Sequence, residues 1–229
     1  MKLSAKCLLF DYGGTIDTNG IHWGEVIWQA YGEVHVPVSY AEFRDAYEQV
    51  ERTLGNQPII QHSDTFHDVL ELKIKRQFEV LGFTDIVTAK IIAMSCYEKT
   101  VTHSRRASMV LSQLKEHYAL GLVSNFYGNL QTVLREFHLS GYFQAVIESA
   151  GVGFRKPELE IFKIAFKKMR VEPDDVIIIG DSYKNDIQPA NRLGCKSIWL
   201  RVKGWHSNDE SIEHPYVIQD IEELTALLI

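Results

Sequence analysis

Cysteine is scarce in this chain, with 3 in 229 residues, at positions 7, 96 and 195. An odd, widely spaced set in apolar or helical contexts excludes a disulfide framework and reads as reduced core side chains of a cytoplasmic protein. Long apolar runs are missing too: none approaches the roughly 18 residues that a membrane helix needs. The first apolar run ends at Asp11 without a small-residue cleavage site, so it is expected to be a strand and not a secretion signal. Basic charge is in deficit, 24 Lys and Arg against 30 Asp and Glu, which argues against a nucleic-acid surface. The 9 histidines show no metal-ligand spacing. His62 and His67, five apart, would diverge around a helix. No internal repeat or low-complexity tract is present. What remains, 45% apolar and 24% charged residues, is an ordinary globular composition, long enough for one large domain or a core with a modest insertion.

The pattern changes twice along the chain. After Thr15 it turns helical, from about Ile21 to Ser104. Tyr40 to Leu54, Ser63 to Leu81 and Thr84 to Lys99 carry apolar residues at three- and four-residue spacing. Ser63-Asp64 and Thr84-Asp85 offer starts, and Gly55 and Gly82 offer ends. Beyond that, the apolar runs Ala119–Val123, Val146–Ile147, Val176–Ile179 and Ser197–Leu200 alternate with helical stretches. Such alternation predicts βαβ units and a parallel sheet. The expected architecture is a doubly wound α/β core, residues 1–17 and 106–229, with a helical bundle, residues 18–105, inserted after the first strand. An insertion there would overhang the carboxyl ends of the strands, where open α/β sheets bind ligands.

Reactive groups punctuate the strand ends. Lys6-Cys7-Leu8-Leu9-Phe10-Asp11-Tyr12-Gly13-Gly14-Thr15 places a carboxylate at a strand tip over a glycine turn, well suited to attack phosphorus and to bind a divalent cation. Leu122-Val123-Ser124-Asn125 ends another strand, and Ile179-Gly180-Asp181-Ser182-Tyr183-Lys184-Asn185-Asp186 a third; Gly153-Phe154-Arg155-Lys156-Pro157 supplies a lysine between them. Each alone has an ordinary reading. Ser124 and Asp181-Ser182 could cap the helices that follow, and Lys156 could be a solvated loop charge. In order and spacing, however, the four segments resemble the motifs of the haloacid dehalogenase-like (HAD) hydrolases, and the helical insertion resembles the C1-type cap of their subfamily I.

The resemblance implies a Rossmann-like core and a small phosphorylated metabolite as substrate. It makes Asp11 the nucleophile, Ser124 and Lys156 the clamps on the transferred phosphoryl group, and Gly14, Thr15, Asn125 and Arg155 further phosphate contacts. Mg²⁺ would lie on Asp11, the Gly13 carbonyl, Asp181 and Asp186, the last directly or through water. The chemistry agrees: a transferred phosphoryl group carries charge on three equatorial oxygens and needs a cation, an ammonium and hydrogen-bond donors, and hard oxygen ligands suit magnesium.

One position departs from the pattern. The family's first motif is Asp-x-Asp-Gly-Thr, and Gly13 stands where its second Asp protonates the leaving group. A positioned general acid contributes about 10²–10⁴-fold, so three outcomes are open. The substrate has a leaving group that departs as an anion, as in the family's P-type ion pumps; a cap residue, water or the substrate supplies the proton; or the chain binds phosphate or a partner and hydrolyses almost nothing. Two relatives of the family also lack the acid. The dehalogenases use no metal, and Asp181 with Asp186 would repel their carboxylate substrates. The phosphonatases add a Schiff-base lysine from the cap, for which Lys73, Lys75 and Lys90 are available, each expected at the surface. Asp17 is expected to be structural, Arg44 and Arg52 solvated, and Arg105-Arg106 an exposed pair where the chain returns to the core. Trp23, Trp28 and Tyr31 either line the inner face of the cap or pack between its helices.

Overall fold

The computed structural model describes residues 3–202 and 212–229. Its strands are β1 (Cys7–Phe10), β2 (Ala119–Ser124), β3 (Ala145–Glu148), β4 (Val176–Gly180), β5 (Lys196–Leu200) and β6 (Val217–Ile218). They form one parallel sheet in the order β3-β2-β1-β4-β5-β6, which confirms the expected α/β class. A parallel sheet covered on both faces needs strands that are apolar throughout. β1 and β4 meet that requirement, with every residue buried. Side chains alternate between faces: Leu8, Phe10, Ile177 and Ile179 join one core cluster, while Cys7, Leu9, Val176 and Ile178 join another. All three cysteines are buried and free, and burial pushes the Cys7 thiol up to about 12.

Between β1 and β2 lie α1 (Trp23–Glu33), α2 (Tyr40–Asn56), α3 (Phe66–Leu81) and α4 (Ile86–Leu114). α2 begins on a capping box of Ser39 with Glu42, and α3 on one of Thr65 with Asp68; each box satisfies two amides that the first helical turn leaves unpaired. The start of α3 therefore falls two residues after the Ser63-Asp64 pair, whose Asp64 instead accepts from the Gln61 amide. α4 is longer than its periodicity suggests. It runs unbroken through Arg105 and Arg106, because its buried stripe continues as Thr100, Ser104, Ala107, Leu111 and Leu114, too small and polar in the middle to register as apolar. Arg106 is not a solvated pair member either: its guanidinium holds Asp220 at 2.7 Å and Glu222 at 2.8 Å.

The remaining helices are α5 (Leu130–Glu136), α6 (Ser149–Val152), α7 (Leu159–Met169), α8 (Gln188–Leu193) and α9 (Glu223–Leu228). The strand order reverses between β1 and β4, because the chain builds β2 and β3 on one side of β1 before crossing to β4. Ligands of open α/β sheets bind at such a switch, outside the carboxyl ends of the strands. The register pairs Phe10 with Ile179, so Asp11 and Asp181 leave adjacent strands at that crevice. Among the described residues no helix is long and apolar enough to cross a membrane.

Candidate active site

Four of the sequence-predicted residues meet at the switch. Oxygens of Asp11, Asp181 and Asp186 all lie within 4.8 Å of one another. Lys156 Nζ sits 2.7 Å from Asp11 Oδ1 and 2.6 Å from Asp186 Oδ1. The ammonium is buried, yet its pKa is raised: burial alone would lower it, and the charges of Asp11 and Asp186 outweigh burial. One ammonium is paired with two carboxylates beside a third, so the cluster would carry excess negative charge if all three were ionised. Burial and the neighbouring carboxylates Asp11 and Asp186 push Asp181 well above the ordinary carboxylate range, and burial raises Asp186 as well. Like charges so close cannot all ionise without a cation. This donor set, hard oxygens with a charge deficit, fits a divalent metal ion.

Second contacts fix each member. Asp11 Oδ1 also accepts from the Tyr12 amide at 2.7 Å, and Asp11 Oδ2 has no hydrogen-bond partner among the described residues. The Thr15 hydroxyl donates to Asp181 Oδ1 and accepts from the Asp181 amide, both at 3.1 Å. The Ser182 amide donates to Asp186 Oδ2 at 3.1 Å. Asn125 holds the lysine loop from both sides, accepting from Lys156 N at 2.8 Å and donating to Lys156 O at 3.0 Å. Ser124, buried at the end of β2, lies two residues past the Phe10–Leu122 pair.

Glycine is required at two of these places. A Cβ on Gly14, whose φ is +92°, would stand 2.4 Å from Asp181 Oδ2, and one on Gly180 would stand 2.3 Å from the Asp186 carboxyl carbon. Gly14→Ala is therefore expected to cost about 1–3 kcal/mol from the left-handed backbone, with a further loss from displacing Asp181, read as a lowered urea midpoint at unchanged slope.

Several expected contacts are placed differently. The Gly14 amide donates to Asp17 Oδ1 at 2.7 Å and the Thr15 amide to Tyr12 O at 3.2 Å, so neither is a free donor to a phosphate. Asn125 spends its amide group on Lys156, as above. Arg155 is exposed, and its guanidinium donates to the Gly55 carbonyl at 3.0 Å; the structure does not bring it to the carboxylates. Arg44 pairs with Glu48 and Arg52 is exposed, in line with solvated roles. Trp28 and Tyr31 pack against Phe43, between helices. Trp23 also packs between helices, against Phe66 of α3, and its indole reaches the turn after β1, donating to Asp17 Oδ2 at 2.8 Å.

Lys73 departs from the position expected of it, and Asp17 agrees with the structural one. Lys73 is not at the surface: it is buried, 2.8 Å from Glu51 Oε1 and over the Tyr127 ring at 4.9 Å. Lys75 and Lys90 are exposed. The apolar spacing of α3 conceals Lys73, because a lysine on the buried stripe looks like a break in it. Asp17 is fully buried, and burial pushes its carboxyl up to about 7 against the bonds from Trp23 and Gly14.

Comparisons with known proteins converge on one description. A family model described as haloacid dehalogenase-like hydrolase matches residues 5–194. The chain is 28% identical over 193 residues, 82% of its length and 79% of the relative's, to haloacid dehalogenase-like hydrolase domain-containing protein 3 of Xenopus laevis. It is 30% identical over 138 residues to a glyceraldehyde 3-phosphate phosphatase of Pyrococcus furiosus, covering 58% of this chain and 55% of that one. The chain thus matches only about half the length of that phosphatase. Among solved structures, the HAD-hydrolase YfnB from Bacillus subtilis, bound to magnesium, superposes with a TM-score of 0.60 at 19% identity and covers 99% of both chains. At that identity the likeness speaks for the fold alone.

Proposed function

The chain belongs to the haloacid dehalogenase-like hydrolase family, and on that footing we propose that it is a cytoplasmic, magnesium-dependent phosphatase of a small phosphorylated metabolite, working through an aspartyl-phosphate at Asp11. The observation that carries this reading is the single ammonium of Lys156 shared by Asp11 and Asp186 beside Asp181. A nucleophile, a fixed cation and a divalent-metal donor set then occupy one rim. Relatives named as phosphatases, for glyceraldehyde 3-phosphate and for N-acylneuraminate 9-phosphate, support the substrate class.

The unpartnered Asp11 Oδ2 would attack phosphorus, with Lys156 neutralising charge on the nucleophile and the arriving oxygens. The Ser124 hydroxyl would hold one phosphoryl oxygen. Magnesium, held by Asp11, Asp181, Asp186 and the Gly13 carbonyl, supplies charge neutralisation for the phosphoryl oxygens when bound. Residues 18–105 would serve as the cap over this rim, with residues 1–17 and 106–229 as the core. Gly13 contributes no proton of its own, so a leaving group that cannot depart as an anion depends on a proton from elsewhere in the site. A panel of phosphate monoesters and anhydrides with magnesium tests the reading, and an absence of turnover throughout would overturn it.

The structure bears on the phosphonatase alternative. An imine-forming lysine must be a free amine near neutral pH. Lys73 is the buried cap lysine, and although burial lowers its pKa, Glu51 and Tyr47 more than offset this and raise it. It stays an ammonium, which disfavours that chemistry.

Magnesium should stabilise the fold as well as serve the reaction. At 100-fold over its dissociation constant a ligand specific for the native state adds about 2.7 kcal/mol. The expected outcome is a raised thermal midpoint on adding magnesium, lost in Asp181→Asn, whose own midpoint in chelator exceeds that of the parent because one repelling carboxylate is gone.

A further inference from the structure

A phosphate ester needs a proton at the departing oxygen, and the residues around Asp11 can be sorted by whether they could give one. Asp11 is the nucleophile. Lys156 is ion-paired to two carboxylates, and Asp181 and Asp186 face the cation position. One buried carboxyl is left over beside this group. Asp17, on the turn after β1, has no lysine or arginine within ion-pair distance among the described residues. It is held at both ends, Oδ1 by the Gly14 amide at 2.7 Å and Oδ2 by the Trp23 indole at 2.8 Å.

Its position is the telling fact. A Cβ built on Gly13 would meet a single atom within 4 Å, Asp17 Oδ2 at 4.0 Å. We propose that Asp17 is the proton donor to the leaving-group oxygen, standing across the gap that the absent side chain at Gly13 leaves beside the nucleophile. This rests on the phosphatase reading and supplies the acid that the turn lacks; the leaving-group preference is then set by Asp17.

Asp11 Oδ2 forms a bond to phosphorus, the bond from phosphorus to the leaving oxygen breaks with its electron pair on oxygen, and the Asp17 proton joins that oxygen. Asp17, now a carboxylate, takes a proton from the water that attacks the aspartyl-phosphate. The bond between phosphorus and Asp11 breaks, phosphate departs, and both carboxyl groups return to their starting states. The charged and titratable groups that face Asp17 are Asp11 and Tyr12 just past β1, Tyr47 of α2, Lys73 of α3 and Tyr127 in the loop after β2. The Trp23 bond ties the acid to α1, so the helical insertion has a direct hold on it.

The test compares single-turnover rates on a primary alkyl phosphate, whose leaving group needs a proton, and on 4-nitrophenyl phosphate, whose leaving group does not. In Asp17→Asn the alkyl rate is expected to fall about 10²–10⁴-fold and the nitrophenyl rate less than about tenfold. Adding Gly13→Asp to that variant returns a carboxyl to the same gap and should recover about tenfold or more of the alkyl rate. Equal losses on the two substrates, an undiminished alkyl rate, or no recovery in the double variant would overturn the role of Asp17 and leave the phosphatase reading standing. No turnover by the parent on any phosphate would overturn both. Should Asp17→Asn fail to fold, Trp23→Phe keeps the carboxyl but frees it. The alkyl rate should then fall more than the nitrophenyl rate, and equal effects would again overturn the proposal.

Discussion

Asp11→Asn is expected to lose at least about 10⁴-fold in phosphate turnover, the scale seen when one member of a catalytic unit is removed, while the protein stays folded and gains stability in chelator. The two effects have one cause. The amide keeps the size of the carboxyl and can still accept from the Tyr12 amide and Lys156, so little packing is lost. It cannot form the aspartyl-phosphate, and it removes one of the two carboxylates paired with Lys156 beside Asp181. Part of the repulsion that pushes Asp181 up comes from Asp11, and that part disappears. Turnover and thermal midpoint, measured on the same preparation, check the pair. Activity retained in Asp11→Asn would remove the nucleophile from its role. A large fall in midpoint would mean that the carboxylate is structural.

The sheet was legible because its strands announce themselves. Val176 to Ile179 is an uninterrupted apolar run, and only a strand buried on both faces asks for one. The convergence of Asp11 with Asp181 followed from the same logic, since parallel strands deliver their ends to one edge. What sequence could not give was the use made of each polar atom. Gly14, Thr15 and Asn125 stand where phosphate contacts were expected, but their donors hold Asp17, Tyr12 and Lys156. Periodicity shows which face of a helix is apolar. It is silent on a lysine that enters that face with a partner, as Lys73 does with Glu51. Asp17 is buried and hydrogen-bonded, as a structural residue would be; the role proposed for it turns on its neighbour in space, the empty side of Gly13, and a missing side chain leaves no mark at a distance along the chain. The second half of α4 was missed because Thr100, Ser104 and Ala107 fill its buried stripe without looking apolar.

Lys156→Met should lose about 3–5 kcal/mol of stability in chelator, the usual cost of removing one partner of a buried ion pair. Methionine fills the channel but leaves Asp11 and Asp186 buried without their counter-charge. The sign of the pH dependence follows from the directions of the shifts. Lys156 is more basic folded than unfolded, so its contribution is fully present throughout the neutral range and is lost only as pH rises through its folded value. Asp181 and Asp186 are less acidic folded than unfolded, so the native state binds more protons than the unfolded chain, and stability falls as pH rises above the ordinary carboxylate value. Without the ammonium, that fall should steepen and extend to higher pH, because the carboxylates hold their protons longer. The deficit of Lys156→Met against the parent is therefore expected to be small near pH 5 and greatest near pH 8, and magnesium should narrow it at pH 8 by restoring positive charge. Denaturant midpoints across that range, with and without magnesium, read all three. A deficit independent of pH would mean that Lys156 stabilises by packing and not by charge.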